Sequence, residues 1–130
     1  MGALEMTLPA RPESVGIARR RVAELGEELH LNTRRIDDLR TVVSEACMNA
    51  AIHAYPTGPG EEEPEFELSA QVHKDRISVT VEDDGTGIRP RPAFQSRSAR
   101  LGLLLMAALA SRLEIRSRSG GGTSLRIEMS

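Results

Sequence analysis

The chain has 130 residues, of which 39% are hydrophobic and 28% are charged, which is the composition of a single globular domain spanning residues 1–130. A net charge of −2 gives no electrostatic case for binding nucleic acid or an anionic membrane, and no apolar run is long enough to cross a bilayer. The single cysteine, Cys47, excludes an intrachain disulfide and a multi-thiolate metal site. Without a signal-peptide pattern, the chain is expected to be cytoplasmic.

The first half of the chain predicts one short strand and two amphipathic helices. Leu4–Leu8 is predicted to be the strand, and Pro12 suits the first turn of the helix that follows. Apolar residues then recur at three- and four-residue steps, which is one face of a helix: Val15, Ala18, Val22, Leu25 and Leu29. The same spacing returns further along and predicts a second helix over about Asp37–Ala54. Tyr55–Pro64 carries Pro, Gly and acidic residues and is predicted to be an exposed loop.

The second half predicts four strands and a third helix. The predicted strands are Phe66–Val72, Ile77–Val81, Leu113–Ser117 and Ser124–Met129. Lys74-Asp75 is expected to turn the first pair into a hairpin, and Gly120-Gly121-Gly122 the second pair. Asp83–Arg100 shows no regular pattern, whereas Leu101–Arg112 is predicted to be a strongly apolar helix.

These elements predict an α+β fold. It would be a two-layer α/β sandwich in which about three helices cover one face of a mixed, mostly antiparallel sheet. The alternation within the strands agrees with burial of one face only, so the other face is expected to meet solvent or a second protein.

The second helix carries a polar cluster with helical spacing. Glu45, Asn49 and His53 are four residues apart, which places them on one helical face. A carboxylate accepts a proton, and an amide oxygen suits a hard cation such as Mg²⁺. Taken alone, this pattern is more typical of a solvated polar stripe.

Two further clusters contain glycines. Asp83 follows the two-residue alternation of Ile77, Val79 and Val81, so its side chain is expected to point to the same buried face. A buried carboxylate needs a hydrogen-bond donor, such as the exocyclic amine of a base. Gly85 and Gly87 follow it and permit close backbone approach, although Asp-Gly also commonly ends a strand. Gly102 begins the apolar helix, where amides can face a phosphate. Taken alone, a glycine there is better explained by tight helix packing.

The order of these clusters resembles the Hsp90–gyrase–histidine-kinase (Bergerat) ATP-binding superfamily, and the resemblance covers nearly the whole chain. Glu45 and Asn49 match its first motif, the N box. The glycine boxes are matched by Asp83, Gly85, Gly87, Gly102 and Thr123. Within the superfamily, the run from Val43 to Tyr55 (VSEACMNAAIHAY) and the proline-rich start LPARPESV are similar to the bacterial anti-sigma-factor serine kinases.

The resemblance implies a role for each matching residue. Asp83 would accept from the adenine amino group with Thr123 nearby, Asn49 would hold Mg²⁺ against the phosphates of ATP, and Glu45 would be the general base. Gly85, Gly87 and Gly102 would let the backbone approach the nucleotide. Cys47 and Met48 are expected to be core residues, and His53 is expected to structure the end of its helix.

One segment and one departure bear on activity. Ile88–Leu101 would be a basic lid over the phosphates, with four arginines and no acidic residue. The family often has Gly-x-Gly-Leu before the third helix, but Arg100 replaces the first glycine here. Arg100 would either obstruct the amide cradle or contact a phosphate itself, so nucleotide binding is expected to survive more readily than phosphoryl transfer.

The function that the resemblance implies is a switch in transcription control. The protein would sequester a sigma factor and use ATP to phosphorylate a serine on a STAS-type anti-anti-sigma factor. The resemblance also allows a homodimer, but it implies no direct contact with nucleic acid or membrane. Two alternatives remain open. One is the catalytic domain of a histidine kinase, for which only His30 precedes the N box. The other is a non-catalytic nucleotide-binding module of the same fold.

Overall fold

The computed structural model describes residues 2–53, 64–83, 97–119 and 121–130. The helices are α1 (Pro12–Glu28), α2 (Thr33–Met48) and α3 (Arg97–Leu109), and one π-helical turn, Asn49–His53, continues α2. The strands are β1 (Ala3–Pro9), β2 (Glu65–His73), β3 (Arg76–Asp83), β4 (Arg112–Ser117) and β5 (Thr123–Met129). The predicted loop at Tyr55–Pro64 lies outside the described residues except for Pro64 itself.

The described strands form a five-stranded sheet in the order β1-β2-β3-β5-β4. The predicted α+β sandwich is confirmed, but the expectation of a mixed sheet is wrong, because every pairing among these strands is antiparallel. Tight hairpins join β2 to β3 and β4 to β5, which forces antiparallel pairing. After β3 and α3 the chain forms β4 at the edge of the sheet, and β5 then lies between β3 and β4.

The core lies between the helices and one face of the sheet. Its largest fully buried side chains come from both layers: Leu39, Phe66, Leu68, Ile77, Met106, Ile127 and Met129. Burial alternates strictly along β2 and β3, as the sequence predicts for a sheet covered on one side. Cys47 is buried as expected, but the expectation for Met48 is wrong, since 38% of it is exposed. Met48 turns away from the apolar stripe of α2 that runs from Ile36 to Cys47.

Helix α2 begins four residues earlier than predicted. The side chain of Asn32 caps the helix by accepting a hydrogen bond from the backbone N–H of Arg35 at 2.9 Å. This cap satisfies an amide that the first turn of the helix leaves unpaired, so the helix can include the polar residues before Ile36.

Helix α3 is also displaced from its prediction, because it begins at Arg97 and ends at Leu109. Arginine and alanine are good helix formers, and they extend the helix into the segment that shows no apolar pattern. At the other end, the N–H of Ser111 donates to the carbonyl of Glu128, so Arg112 enters β4 instead of α3.

Three contacts hold the elements that surround the site. The Ser14 hydroxyl donates to the carbonyl of Pro9 at 2.6 Å, which fixes the turn from β1 into α1. Arg35 of α2 donates from Nη1 to the carbonyl of Leu109 at 3.2 Å and from Nε to the carbonyl of Ser130 at 3.1 Å. Arg35 therefore binds α2 to the end of α3 and to the C-terminal residue.

Candidate functional site

The carboxylate of Glu45 lies directly against the backbone of Gly102. Glu45 is half-buried in the last turn of α2, and Gly102 is buried in the second turn of α3. A Cβ atom added to Gly102 would lie 2.6 Å from Oε2 of Glu45 and 3.4 Å from its Cδ. Only glycine therefore leaves room for this carboxylate, and the two matching residues of the sequence motifs are brought together.

Glu45 opens into a cleft of about 520 Å³ beside α3. This volume lies within the range of small-molecule sites in proteins. The described residues that line the cleft are Glu45, Arg97, Leu101, Gly102 and Leu105. The sequence analysis placed Arg97 and Leu101 in the predicted lid and did not select Leu105 as a site residue. In the structure all three lie on α3, and their four-residue spacing puts them on one face of that helix.

Asn49 follows Glu45 by four residues and begins the π-helical turn. Only 5% of Asn49 is exposed, and its Nδ2 has no hydrogen-bond partner among the described residues. A buried, unpaired amide donor costs about 1–3 kcal/mol, and such groups call for an explanation. Single π-helical turns within α-helices also occur often at functional sites. Asn49 therefore fits a site that a polar ligand completes.

The prediction that the Asp83 side chain points to the buried face of its strand is confirmed. Asp83 is the last residue of β3 and continues the buried face of that strand, with 6% of it exposed. Thr123 is its direct cross-strand partner on β5, so both side chains point to the same face of the sheet. The π-helical turn packs against β3, which brings the end of α2 to this face. The structure thus places Asp83 beside Thr123, as expected.

Arg118 supports this end of the sheet and was not found by sequence analysis. It follows β4 and donates from Nη1 to the backbone carbonyl of Asp83 at 3.0 Å. Its Nε lies 4.0 Å from Oε2 of Glu82. The adjacent Gly121 and Gly122 have φ of 110° and 94°, a backbone that favours glycine and turns β4 back into β5.

Two of the predicted site glycines, Gly85 and Gly87, lie outside the described residues, as does most of the predicted basic lid. Arg100 lies on α3 with an exposed side chain, and Arg97 rather than Arg100 lines the cleft. His53 is the last residue of the π-helical turn.

The residues present fit a divalent cation that a ligand would help to bind. Among the residues that the structure describes, no group of three or more His, Cys, Asp or Glu side chains could hold a metal ion. Mg²⁺ commonly binds through one or two protein oxygens together with substrate phosphates. Asn49 can supply one such oxygen, while its unpaired Nδ2 is free to donate to an anionic ligand.

Cys47 takes no part in chemistry at this site. Burial raises the pKa of its thiol from 9.0 to about 12, so the thiol stays protonated at neutral pH. A buried neutral thiol is inert as a nucleophile.

The fold and the site agree with the comparison to known families. The family described as "Histidine kinase-like ATPase domain" matches residues 8–129, so the chain belongs to this family. Membership implies the use of a nucleotide and confirms the superfamily that the motifs predict.

Curated relatives show which group of proteins within this family the chain is similar to. The serine-protein kinase RsbW of Bacillus pumilus (strain SAFR-032) is 32% identical over 130 residues, an alignment that covers 90% of this chain and 80% of the relative. The anti-sigma F factor of Pasteuria penetrans is 32% identical over 129 residues, covering 92% of this chain and 85% of the relative. The resemblance to anti-sigma-factor serine kinases is therefore confirmed.

Solved structures share the fold. The RsbU and RsbW domains of a Mycobacterium tuberculosis protein superpose with a TM-score of 0.73 at 22% identity, over 99% of this chain and 32% of that one. A chain of the SiaB-SiaC complex from Pseudomonas aeruginosa gives 0.69 at 16% identity, over 97% of this chain and 88% of that one. Across the described ranges, no helix has the length and apolar character needed to span a membrane.

Proposed function

We propose that this protein is an ATP-dependent serine/threonine protein kinase that also acts as an anti-sigma factor. It phosphorylates a STAS-type anti-anti-sigma factor and sequesters a sigma factor in the cytoplasm. The observation that carries the proposal is the half-buried carboxylate of Glu45, held against Gly102 at the wall of an open cleft. Relatives at 32% identity that are named serine-protein kinase RsbW and anti-sigma F factor support it.

In this proposal the nucleotide binds between α2 and the end of β3. Asp83 accepts a hydrogen bond from the adenine amino group, and Thr123 lies beside it on the same face of the sheet. Asn49 binds the phosphate end, where its unpaired Nδ2 gains a partner and its oxygen is a ligand for Mg²⁺. Mg²⁺ neutralises phosphate charge when bound. The glycines Gly85, Gly87 and Gly102 let the backbone approach the nucleotide.

Glu45 acts on the acceptor. A serine hydroxyl that enters the cleft would donate a hydrogen bond to the carboxylate, which would orient the oxygen and take its proton. The serine oxygen would then bond to the γ-phosphorus of ATP as the bond from that phosphorus to ADP breaks, and ADP would leave. The close contact with Gly102 limits where the carboxylate can move, and such positioning is most of what a phosphoryl-transfer enzyme contributes. Arg97 lines the same cleft and supplies positive charge.

The histidine-kinase alternative receives no support from the position of His30. A phosphoacceptor histidine belongs on a dimerisation helix, but His30 lies in the turn after α1 with φ of 61°. The non-catalytic alternative rested on Arg100, whose side chain is exposed and does not line the cleft. Arg100 therefore gives no reason to exclude catalysis.

The test is direct transfer of phosphate. The purified chain is incubated with γ-labelled ATP, Mg²⁺ and, one at a time, each purified STAS-type protein of the same organism. We expect one of them to be labelled on serine, and Glu45→Gln to abolish labelling while ATP still binds. Glu27→Gln, which changes an exposed carboxylate on α1, is the matched control and should keep full activity.

Sequestration is tested separately by gel filtration with each purified sigma factor of the same organism, with ATP present. A chain that labels no STAS-type protein and retains no sigma factor would overturn the proposal. A chain that retains a sigma factor but transfers no phosphate would instead be the non-catalytic nucleotide-binding module.

A further inference from the structure

Helix α3 carries an apolar stripe that nothing in the described part of the chain covers. Leu101, Leu104 and Leu105 are 56%, 67% and 39% exposed, and Ala108 continues the stripe one turn later. Single exposed leucines are ordinary, but a contiguous group on one helix is typical of an interaction surface. Exposure of these apolar side chains to water is unfavourable, so a partner that buries them would gain binding free energy.

The stripe is continuous with the cleft of Glu45. Leu101 and Leu105 line that cleft, while Leu104 adjoins them on the same side of α3 but does not line it. Leu101 and Leu105 therefore belong both to the wall of the cleft and to the stripe, and Leu104 extends the stripe away from the cleft. Any macromolecule that reaches the Glu45 carboxylate along this side must lie on the stripe.

We propose that the apolar stripe Leu101-Leu104-Leu105 is the docking surface for the protein whose serine is phosphorylated. This inference rests on the proposed kinase activity. A serine hydroxyl must come within about 3 Å of Glu45 to be activated, and a folded partner cannot insert it without laying its own surface on the cleft rim. In the described structure, Leu101, Leu105 and Arg97 form this rim, and Leu104 lies next to it on α3.

The charge on α3 defines the chemistry of the partner. The helix carries Arg97 and Arg100, both exposed, and its sequence contains no acidic residue. A surface that complements it presents apolar side chains next to the serine and at least one carboxylate opposite the arginines. The partner is therefore a protein whose phosphorylated serine lies in an apolar and acidic patch.

The test varies Leu104, because this residue belongs to the stripe but not to the catalytic cleft. Three variants are compared: Leu104→Met, Leu104→Lys and Leu104→Glu. The assay is phosphorylation of the STAS-type protein that wild type labels, with separate KM values for ATP and for the protein. We expect Leu104→Glu to raise the KM for the protein by about tenfold or more, and Leu104→Lys to raise it less, because the partner patch is acidic. Leu104→Met should stay within about twofold.

Other measurements separate this inference from folding and from the kinase activity itself. The KM for ATP should be unchanged in every variant, and Gln71→Glu, which adds the same charge to the opposite face of the sheet, should leave both KM values unchanged. Equal KM values for all Leu104 variants would overturn the docking surface while leaving the kinase intact. A change in oligomeric state by light scattering without a change in the KM for the protein would assign the stripe to a second copy of the chain, which also overturns the inference. If wild type labels no STAS-type protein, the kinase activity and the docking surface fall together.

Discussion

The carboxylate of Glu45 lies against the backbone of Gly102, although the two residues are far apart in sequence. Glycine has a hydrogen atom where any other residue has a Cβ, and no larger group fits beside the carboxylate in this position. Gly102→Ala would place a methyl carbon 2.6 Å from Oε2. The carboxylate is the flexible end of its side chain, so it should move and the fold should persist. We expect phosphate transfer to fall by about a hundredfold with the Tm nearly unchanged. The affinity for ATP should fall less than the rate of transfer, because Gly102 also lets the backbone approach the nucleotide in the proposed site.

Gly16 provides the matched control for this substitution. It also lies in a helix, but an added Cβ would meet only a guanidinium nitrogen of Arg19 at 3.8 Å. Gly16→Ala should therefore stabilise the protein by about 0.5–1 kcal/mol and leave transfer unchanged. Full activity in Gly102→Ala would show that the position of Glu45 does not matter.

Asn49 is expected to bind ligand and not to stabilise the empty fold. Because Nδ2 is buried without a partner in the described structure, Asn49→Ala removes an unfavourable group along with some packing. The nucleotide-free protein should change in stability by less than about 1 kcal/mol. The stabilisation that saturating Mg-ATP gives wild type, about 2.7 kcal/mol at one hundred times Kd, should disappear. Thermal unfolding with and without Mg-ATP measures both quantities.

Ser14 is the corresponding control, since it is also buried but donates to the carbonyl of Pro9. Ser14→Ala should destabilise the empty protein by about 1 kcal/mol and keep the response to Mg-ATP. A loss of more than about 2 kcal/mol in empty Asn49→Ala would mean that the amide is structural.

Asp83 is expected to set the choice of base. A buried carboxylate can accept from the amino group of adenine but repels the carbonyl oxygen that guanine presents at the same position. Asp83→Asn should weaken ATP binding by about tenfold to a hundredfold and bring ATP and GTP closer in affinity. Calorimetric titration of ATP, ADP and GTP, with and without Mg²⁺, provides the comparison. Glu67→Gln on the exposed face of β2 should bind like wild type. Unchanged affinities in Asp83→Asn would contradict the assignment.

Arg35 is expected to contribute far more to stability than an ordinary surface arginine. It donates to the backbone carbonyls of Leu109 and Ser130 and pairs with Asp38 at 2.9 Å. Arg35→Ala should lower the free energy of unfolding by about 2 kcal/mol. Arg40 pairs only with the exposed Asp37 on the same helix, so Arg40→Ala should cost less than about 0.5 kcal/mol. Urea unfolding measures both variants, and equal losses would show that the Arg35 contacts are not important.

The Cys47 thiol should make the fold less stable in alkali. Its pKa is about 12 in the folded protein and near 9.0 when exposed, so unfolding releases a proton between these values. Stability from this group is complete below pH 9 and falls as pH rises towards 12, by up to about 1.4 kcal/mol per pH unit. Cys47→Ala should be less stable at pH 7 but show a shallower decline from pH 8 to 10. Parallel declines in the two proteins would rule out this contribution.

Much of the site could be predicted because it depends on local periodicity. The two-residue repeat of β3 puts Asp83 on the buried face, and the helical spacing of Glu45 and Asn49 survives into the π-helical turn. The order of the motifs along the chain was sufficient for the family. The boundaries of α2 and α3 were less accurate, because a cap at Asn32 and a backbone bond from Ser111 decided them.

The sequence by itself determined the alternating strands, the apolar stripes of the helices and the types of residue available for chemistry. Only the tertiary structure decided that Gly102 touches Glu45 and that Arg97, Leu101 and Leu105 share its cleft. It also decided that Arg35 holds the end of α3. Side-chain direction along one helix or strand is set by the repeat of its own backbone. The distance between two helices is set by packing among many side chains at once, and no spacing within either helix contains that information.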